Sequence, residues 1–255
     1  MRKIKLLIEY DGTAYHGWQM QKDAVTVQSV LEESVQRITG ENSSIVGASR
    51  TDAGVHALGQ VAVFRTESVH DAGTIKRALN AVLPLDIRVL DVSEADELFH
   101  PRECAVRKSY FYIIANQRIS SAFLFRYVWT VPQPLDLNSM AGVLGVLTGR
   151  HDFSAFMGTG SDIKDAVREI YSLYIERLDK IDFMTASLKG NFIRISIEAN
   201  GFLRHMVRNI AGTLIEMGRG RIPAERMMEI LQSRDRRLAG QTAPPSGLFL
   251  ERIYY

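Results

Sequence analysis

Alternating apolar stretches fall in groups along this chain, and helical stretches stand beside the groups rather than between every pair of strands. That order limits the fold more than any other feature. Strict strand–helix alternation would give a doubly wound parallel sheet, whereas grouped strands favour an α+β architecture. KIKLLIEY alternates with period two as far as the turn at Asp11-Gly12 and reads as a strand. From Thr26 the apolar residues Val27, Val30, Leu31, Val35 and Ile38 recur at helical spacing, with Thr26 as N-cap and Gly40 as stop. Strands are expected at 44–49, 59–65 and 87–92, a short helix at 74–82, and an aromatic, β-branched strand at Ser109–Ala115. Further on, 136–148 reads as a helix, Met157–Asp162 as a loop, and 167–177, 182–189 and 192–199 as three strands. Ile193, Ile195 and Ile197 share one face of the last strand. A long helix is expected from Phe202 to Met217 and a shorter one from Pro223 to Ser233.

A chain of 255 residues can bury a real core as one large domain or two smaller ones. Cys104 is the single cysteine and has no internal disulfide partner, and the N-terminus reads as neither a signal peptide nor a membrane span. A cytoplasmic location is expected. Tyr10, Tyr15 and Trp18 suit the core better than a stacking platform. Six histidines show no pair at ligand spacing, so no metal site is expected. Gly158-Thr159-Gly160 lacks the lysine of a phosphate-binding loop, and no nucleotide cofactor is indicated. Glu9-Tyr10-Asp11-Gly12-Thr13 carries the Asp-Gly-Thr of aspartate-dependent phosphatases but places Glu9 at the nucleophile position.

The formal net charge of +2 hides an uneven distribution. Between Arg204 and Arg237 stand eight arginines and four acids, a local +4 without one lysine, which leaves −2 for the rest of the chain. Arginine suits bidentate contact with phosphate, so Arg219, Arg221 and their neighbours are candidates to line a polyanion site. A solvated helical face fits the same charge pattern equally well.

GASRTDAGVHALGQV, residues 47–61, sets Arg50, Thr51 and Asp52 on a turn of small residues between two strands, with Gly54 to bend the backbone. A carboxylate there is available as nucleophile or base. Most aspartates in such loops serve the turn itself.

SRTDAGVHALGQV resembles the signature of the TruA family of tRNA pseudouridine synthases, whose motif reads GRTDAGVHA. EYDGTAYHGWQMQ, FHPRECAVRKSYFYI, HDFSAF, NGFLRHMVRNIAGTLIEMGRGRI and TAPPSGLFL also resemble family segments, in order and spacing along the whole chain. Ser49 stands where a glycine is usual, and Met20 where a basic residue is common. The resemblance implies two α/β halves with mixed, mainly antiparallel sheets flanking a basic cleft, placed here at 1–104 and 105–255. It further implies a homodimer that needs neither metal nor organic cofactor and acts on uridines 38, 39 and 40 of the tRNA anticodon stem-loop. By position in the motifs, Asp52 corresponds to the catalytic aspartate and Arg50 to the arginine that helps extrude the base. Tyr110 corresponds to the tyrosine beside the target ring and Arg208 to the arginine paired with the aspartate. Leu248 would pack on the flipped nucleotide, and Arg204, His205 and Asn209 would contact the substrate.

Overall fold

The computed structural model describes residues 1–160 and 165–255. The chain forms two compact units, Met1–Lys108 with Phe249–Tyr255, and Ser109–Leu248. The expected boundary at 104/105 thus moves to 108/109, and the C-terminus returns to the first unit. Hydrogen bonding explains both changes. The Val106 N–H donates to the Tyr254 carbonyl at 2.9 Å, and Phe249 and Leu250 pair in parallel with His56 and Ala57. No local pattern announces pairing across so many residues.

The first unit opens with β1 (Arg2–Tyr10), then α1 (Val27–Thr39), β2 (Val46–Gly47), β3 (His56–Thr66), α2 (Ala72–Val82) and β4 (Ile87–Ala95). Antiparallel β1 lies between β3 and β4, and β2 and the C-terminal strand (Leu248–Tyr254) also pair with β3. Helix α1 starts where its cap dictates: the Thr26 hydroxyl accepts from the Ser29 N–H while the Ser29 hydroxyl accepts from the Thr26 N–H. Gly40 closes it in the left-handed region, at φ 76°. Val27, Leu31 and Val35 of α1 and Ile75 and Leu79 of α2 are buried stripes that close this unit's core. Tyr10, Tyr15 and Trp18 are buried with them, as the sequence led one to expect.

The second unit contains β5 (Arg107–Ala115, its first two residues in the first unit), β6 (Trp129–Thr130), α3 (Leu137–Gly142), α4 (Leu144–Leu147), β7 (Gly149–Asp152), β8 (Val167–Phe183), β9 (Ala186–Ala199), α5 (Met206–Gly218) and α6 (Met227–Ser233). Its strands run in the order β5-β9-β8-β7, with β6 parallel to β5. The fold is α+β with mixed, mainly antiparallel strands.

Several expected boundaries shift. Three expected strands from 167 to 199 are one long hairpin. Strand β8 runs through a register irregularity between Leu178 and Lys180 and turns only at Met184, whose φ is 54°. The helix expected at 136–148 breaks at Val143 into α3 and α4. Helix α5 begins at Met206 rather than Phe202, because His205 just before it has φ 60°, outside the helical region. The helix expected from Pro223 opens as a 3-10 turn and becomes α-helical only at Met227. Of the loop expected at 157–162, Ser161 and Asp162 lie outside the described residues.

Candidate active site

Between β2 and β3 the loop carrying Arg50 and Asp52 is tied down from several elements. Gln60 of β3, fully buried, clamps Ser49 on both sides: its amide donates to the Ser49 carbonyl at 2.7 Å and its oxygen accepts from the Ser49 N–H at 3.2 Å. The Tyr10 and Thr51 hydroxyls share a hydrogen bond of 2.8 Å, and the Trp18 N–H donates to the Thr51 carbonyl at 3.0 Å. Gly54, at φ 76°, makes the bend that the sequence suggested, and its N–H reaches the Tyr15 carbonyl. Gly17 lets the chain pass close behind: a Cβ there would lie 2.6 Å from the Thr51 carbonyl oxygen. Thr51 is therefore fixed through side chain and main chain, which sets the direction of its neighbour. Asp52 is half-buried and Arg50 exposed. Ser49 is not among the residues with positive φ, so its departure from glycine costs no backbone strain.

His56 closes the loop from below, buried and stacked on Phe249 with ring centroids 4.6 Å apart. Its Nδ1 lies 3.1 Å from both the Gly12 N–H donor and the Asp11 carboxylate, whose oxygen also accepts from the Thr13 N–H and hydroxyl.

Within the second unit, Tyr110 is buried and meets Phe202 edge-on, with centroids 5.1 Å apart. Arg208 of α5 donates through Nε to the Ala243 carbonyl at 2.8 Å, and the Ala243 N–H returns to the Arg208 carbonyl at 3.1 Å. Its charge is felt at Tyr112, whose phenol burial pushes far up and Arg208 pulls part of the way back. The Tyr112 hydroxyl donates to the Pro244 carbonyl at 2.6 Å, so α5, β5 and the 243–244 segment are knitted together. Leu248 follows, nearly buried.

Three expectations about the arginine-rich segment change. Asn209, expected at the substrate, is fully buried. Its amide nitrogen donates to the Phe156 carbonyl and its oxygen accepts from Arg236 and the Thr242 hydroxyl, so it serves the core. Arg219 is not a surface phosphate ligand: it pairs with Glu216 at 2.7 Å, both side chains 11% exposed, and its guanidinium lies 5.9 Å from the Trp129 ring. Arg221 joins the same carboxylate at 3.3 Å. Arg226, Arg234 and Arg237 pair with Glu229, Asp152 and Asp235. Arg204 is exposed and holds the Thr159 carbonyl, and Gly158 packs against the His205 ring, where a Cβ would come within 2.8 Å.

Sequence reasoning missed Gln60, Lys108, Phe202 and Tyr112. Gln60 had a signal, being a polar residue directly before the apolar run VAVF. The others had none.

A family model described as tRNA pseudouridine synthase matches residues 6–102 and 145–255. Proteins called tRNA pseudouridine synthase A from Thermodesulfovibrio yellowstonii and from a Thermoanaerobacter species are 44% and 46% identical to this chain over all 255 residues, covering both chains entirely. One from Myxococcus xanthus is 44% identical across the whole of this chain and 92% of its own. The chain belongs to the tRNA pseudouridine synthase family.

Asp52, Arg50, Arg204, His205, Arg208, Asn209 and Leu248 all fall within the segments that the family model matches, and Tyr110 falls in the interval between them. Among the described residues of this family member, no group of three or more His, Cys, Asp or Glu side chains is placed to hold a metal ion. No helix among the described residues is long and apolar enough to cross a membrane.

Proposed function

We propose that this chain isomerises uridine to pseudouridine in tRNA, at positions 38, 39 and 40 of the anticodon stem-loop, with Asp52 as the catalytic carboxylate. Full-length relationship to tRNA pseudouridine synthases supports the reaction, and it is the observation that carries the proposal. The reaction breaks the N1–C1′ bond, turns the uracil and joins C5 to C1′. Asp52 acts by attacking C1′ or by removing a ribose proton to give a glycal; both need a carboxylate held in one direction. The hydrogen bonds that hold Ser49 and Thr51 support this role for the neighbouring Asp52. No atom of the nucleoside is gained or lost except the C5 hydrogen, which exchanges for a proton at N1, so the chemistry calls for no redox partner or group donor.

The target base must leave the helix first, at a cost of a few kcal/mol. Arg50, exposed beside Asp52, is assigned to fill the vacated space. Tyr110 is assigned to the flipped ring, Leu248 to the nucleotide's apolar face, and Arg208 to the Asp52 carboxylate, whose direction its planar fork would fix. Arg204 and His205 remain substrate contacts in this assignment, and Asn209 supports them from the core. The working form is taken to be a homodimer in the cytoplasm.

Release of tritium from C5 of uridine in an unmodified tRNA transcript tests the reaction, since C5 exchanges its hydrogen for C1′. Purified protein alone should release about one equivalent for each uridine converted. A transcript that is bound yet keeps its label would leave a tRNA-binding protein without this activity.

A further inference from the structure

Lys108 is the second residue of β5, and its side chain is buried, with the residue only 8% exposed. Lysine is seldom buried so fully, because removing an ammonium from water is costly unless strong partners receive it. Here the ammonium donates to the Ala48 carbonyl at 2.7 Å. Ala48 is the first residue past the β2–β3 pairing, which ends at Gly47, and it stands four residues before Asp52. Ser49, next in the chain, is held by Gln60, and Thr51 by Tyr10 and Trp18. Three consecutive anchorages thus lead to the carboxylate, and the one nearest the strand is a charge-assisted bond, stronger than a neutral donor would make.

We propose that Lys108 is a positioning residue for the Asp52 loop, acting through the Ala48 carbonyl rather than on the substrate. A charge-assisted bond to that carbonyl stiffens the start of the loop more than a neutral donor would. Released from this anchor, Ser49–Asp52 gains freedom at one end, and the carboxylate spends less time in the reactive direction. Two residues further along the same strand stands Tyr110, so the strand that holds the loop also carries the residue assigned to the flipped base. As a statement about chemistry, the proposal rests on the functional reading above.

Lys108→Met removes the donor and keeps the buried apolar stem, and Lys108→Gln keeps a neutral donor. With tRNA saturating, the single-turnover rate of the Met variant should fall about 100-fold, the scale of a misplacement near 1 Å. The Gln variant should recover about tenfold of that loss, and tRNA affinity should stay within about threefold for both, since backbone phosphates supply most of it. Amide hydrogen exchange on the free protein should quicken at Ser49, Thr51 and Asp52 in the Met variant and less in the Gln variant. A Met variant as fast as wild type, a Gln variant no better than Met, affinity falling in step with rate, or unaltered exchange in the loop would each overturn the proposal. Exchange decides the anchoring even if wild-type protein forms no pseudouridine, an outcome that would count against the functional reading alone. If the Met variant does not fold, exchange and rate in the Gln variant against wild type make the same decision, slower turnover with a loosened loop being the expected result.

Discussion

The Asp52 loop and the arginine-rich segment are both rich in polar contacts, but they use them differently. Around the loop the Lys108 and Gln60 side chains bond main-chain atoms of Ala48 and Ser49, and the Trp18 main-chain N–H bonds the Thr51 carbonyl. In the second unit, Arg219, Arg221, Arg226, Arg234 and Arg237 meet carboxylates, and Arg236 meets Asn209 and Thr242. The first pattern fixes backbone direction. The second pairs charge: Glu216, Glu229 and Asp235 are already counted in the +4, and only Asp152 comes from outside the segment, so pairing engages particular arginines while hardly altering the net charge. Charge counts alone cannot tell a phosphate-binding arginine from one that satisfies a buried glutamate, and Arg219 is of the second kind.

Substitutions on either side of this contrast should separate chemistry, stability and affinity. Asp52→Asn should abolish turnover while tRNA affinity stays within about threefold, because the change removes a charge at constant shape and phosphate contacts dominate binding. Product formation and binding measured side by side check it; appreciable pseudouridine from the Asn variant would remove Asp52 from the chemistry. Arg208→Lys keeps the charge but loses the planar fork and the Nε donor to Ala243, and its single-turnover rate should drop about 100-fold through misplacement. Near-normal chemistry in the lysine variant would reject a pairing with Asp52.

Smaller effects should follow for stability. Gln60→Leu leaves the Ser49 N–H and carbonyl without their clamp at a nearly buried site, which should cost about 2–3 kcal/mol. Arg219→Gln should cost about 1–2 kcal/mol, less than loss of an isolated buried pair, because Arg221 and Gln241 still reach Glu216. Denaturant titration of each variant reads these losses, and an Arg219 variant as stable as wild type would return that residue to the pool of RNA ligands. Arg237, 89% exposed, marks the small end: Arg237→Gln should leave stability unchanged and lower the slope of log affinity against log salt by no more than about 0.9.

Much of this was legible in the sequence where local chemistry decides structure. Thr26 and Gly40 marked α1 because a cap side chain and a left-handed glycine act over three or four residues. SRTDAGV announced a turn of small residues and, through its resemblance, a family. What stayed hidden depends on distant partners. Lys108 reaches Ala48 across 60 positions, the last strand joins β3 across nearly 200, and His205 adopts positive φ in a stretch that otherwise scores as helix. Asn209 looked like a polar residue on a helix facing substrate, and only the meeting of Phe156, Arg236 and Thr242 around it shows that it is internal.

Mapping pseudouridine at single-nucleotide resolution tests the central claim most directly, using unmodified tRNA transcripts incubated with the purified protein and no added cofactor. The account predicts pseudouridine at those of positions 38, 39 and 40 that carry uridine, with the remaining uridines unchanged. Transcripts that bind the protein and retain uridine at all three positions, or that are modified only elsewhere, would contradict it.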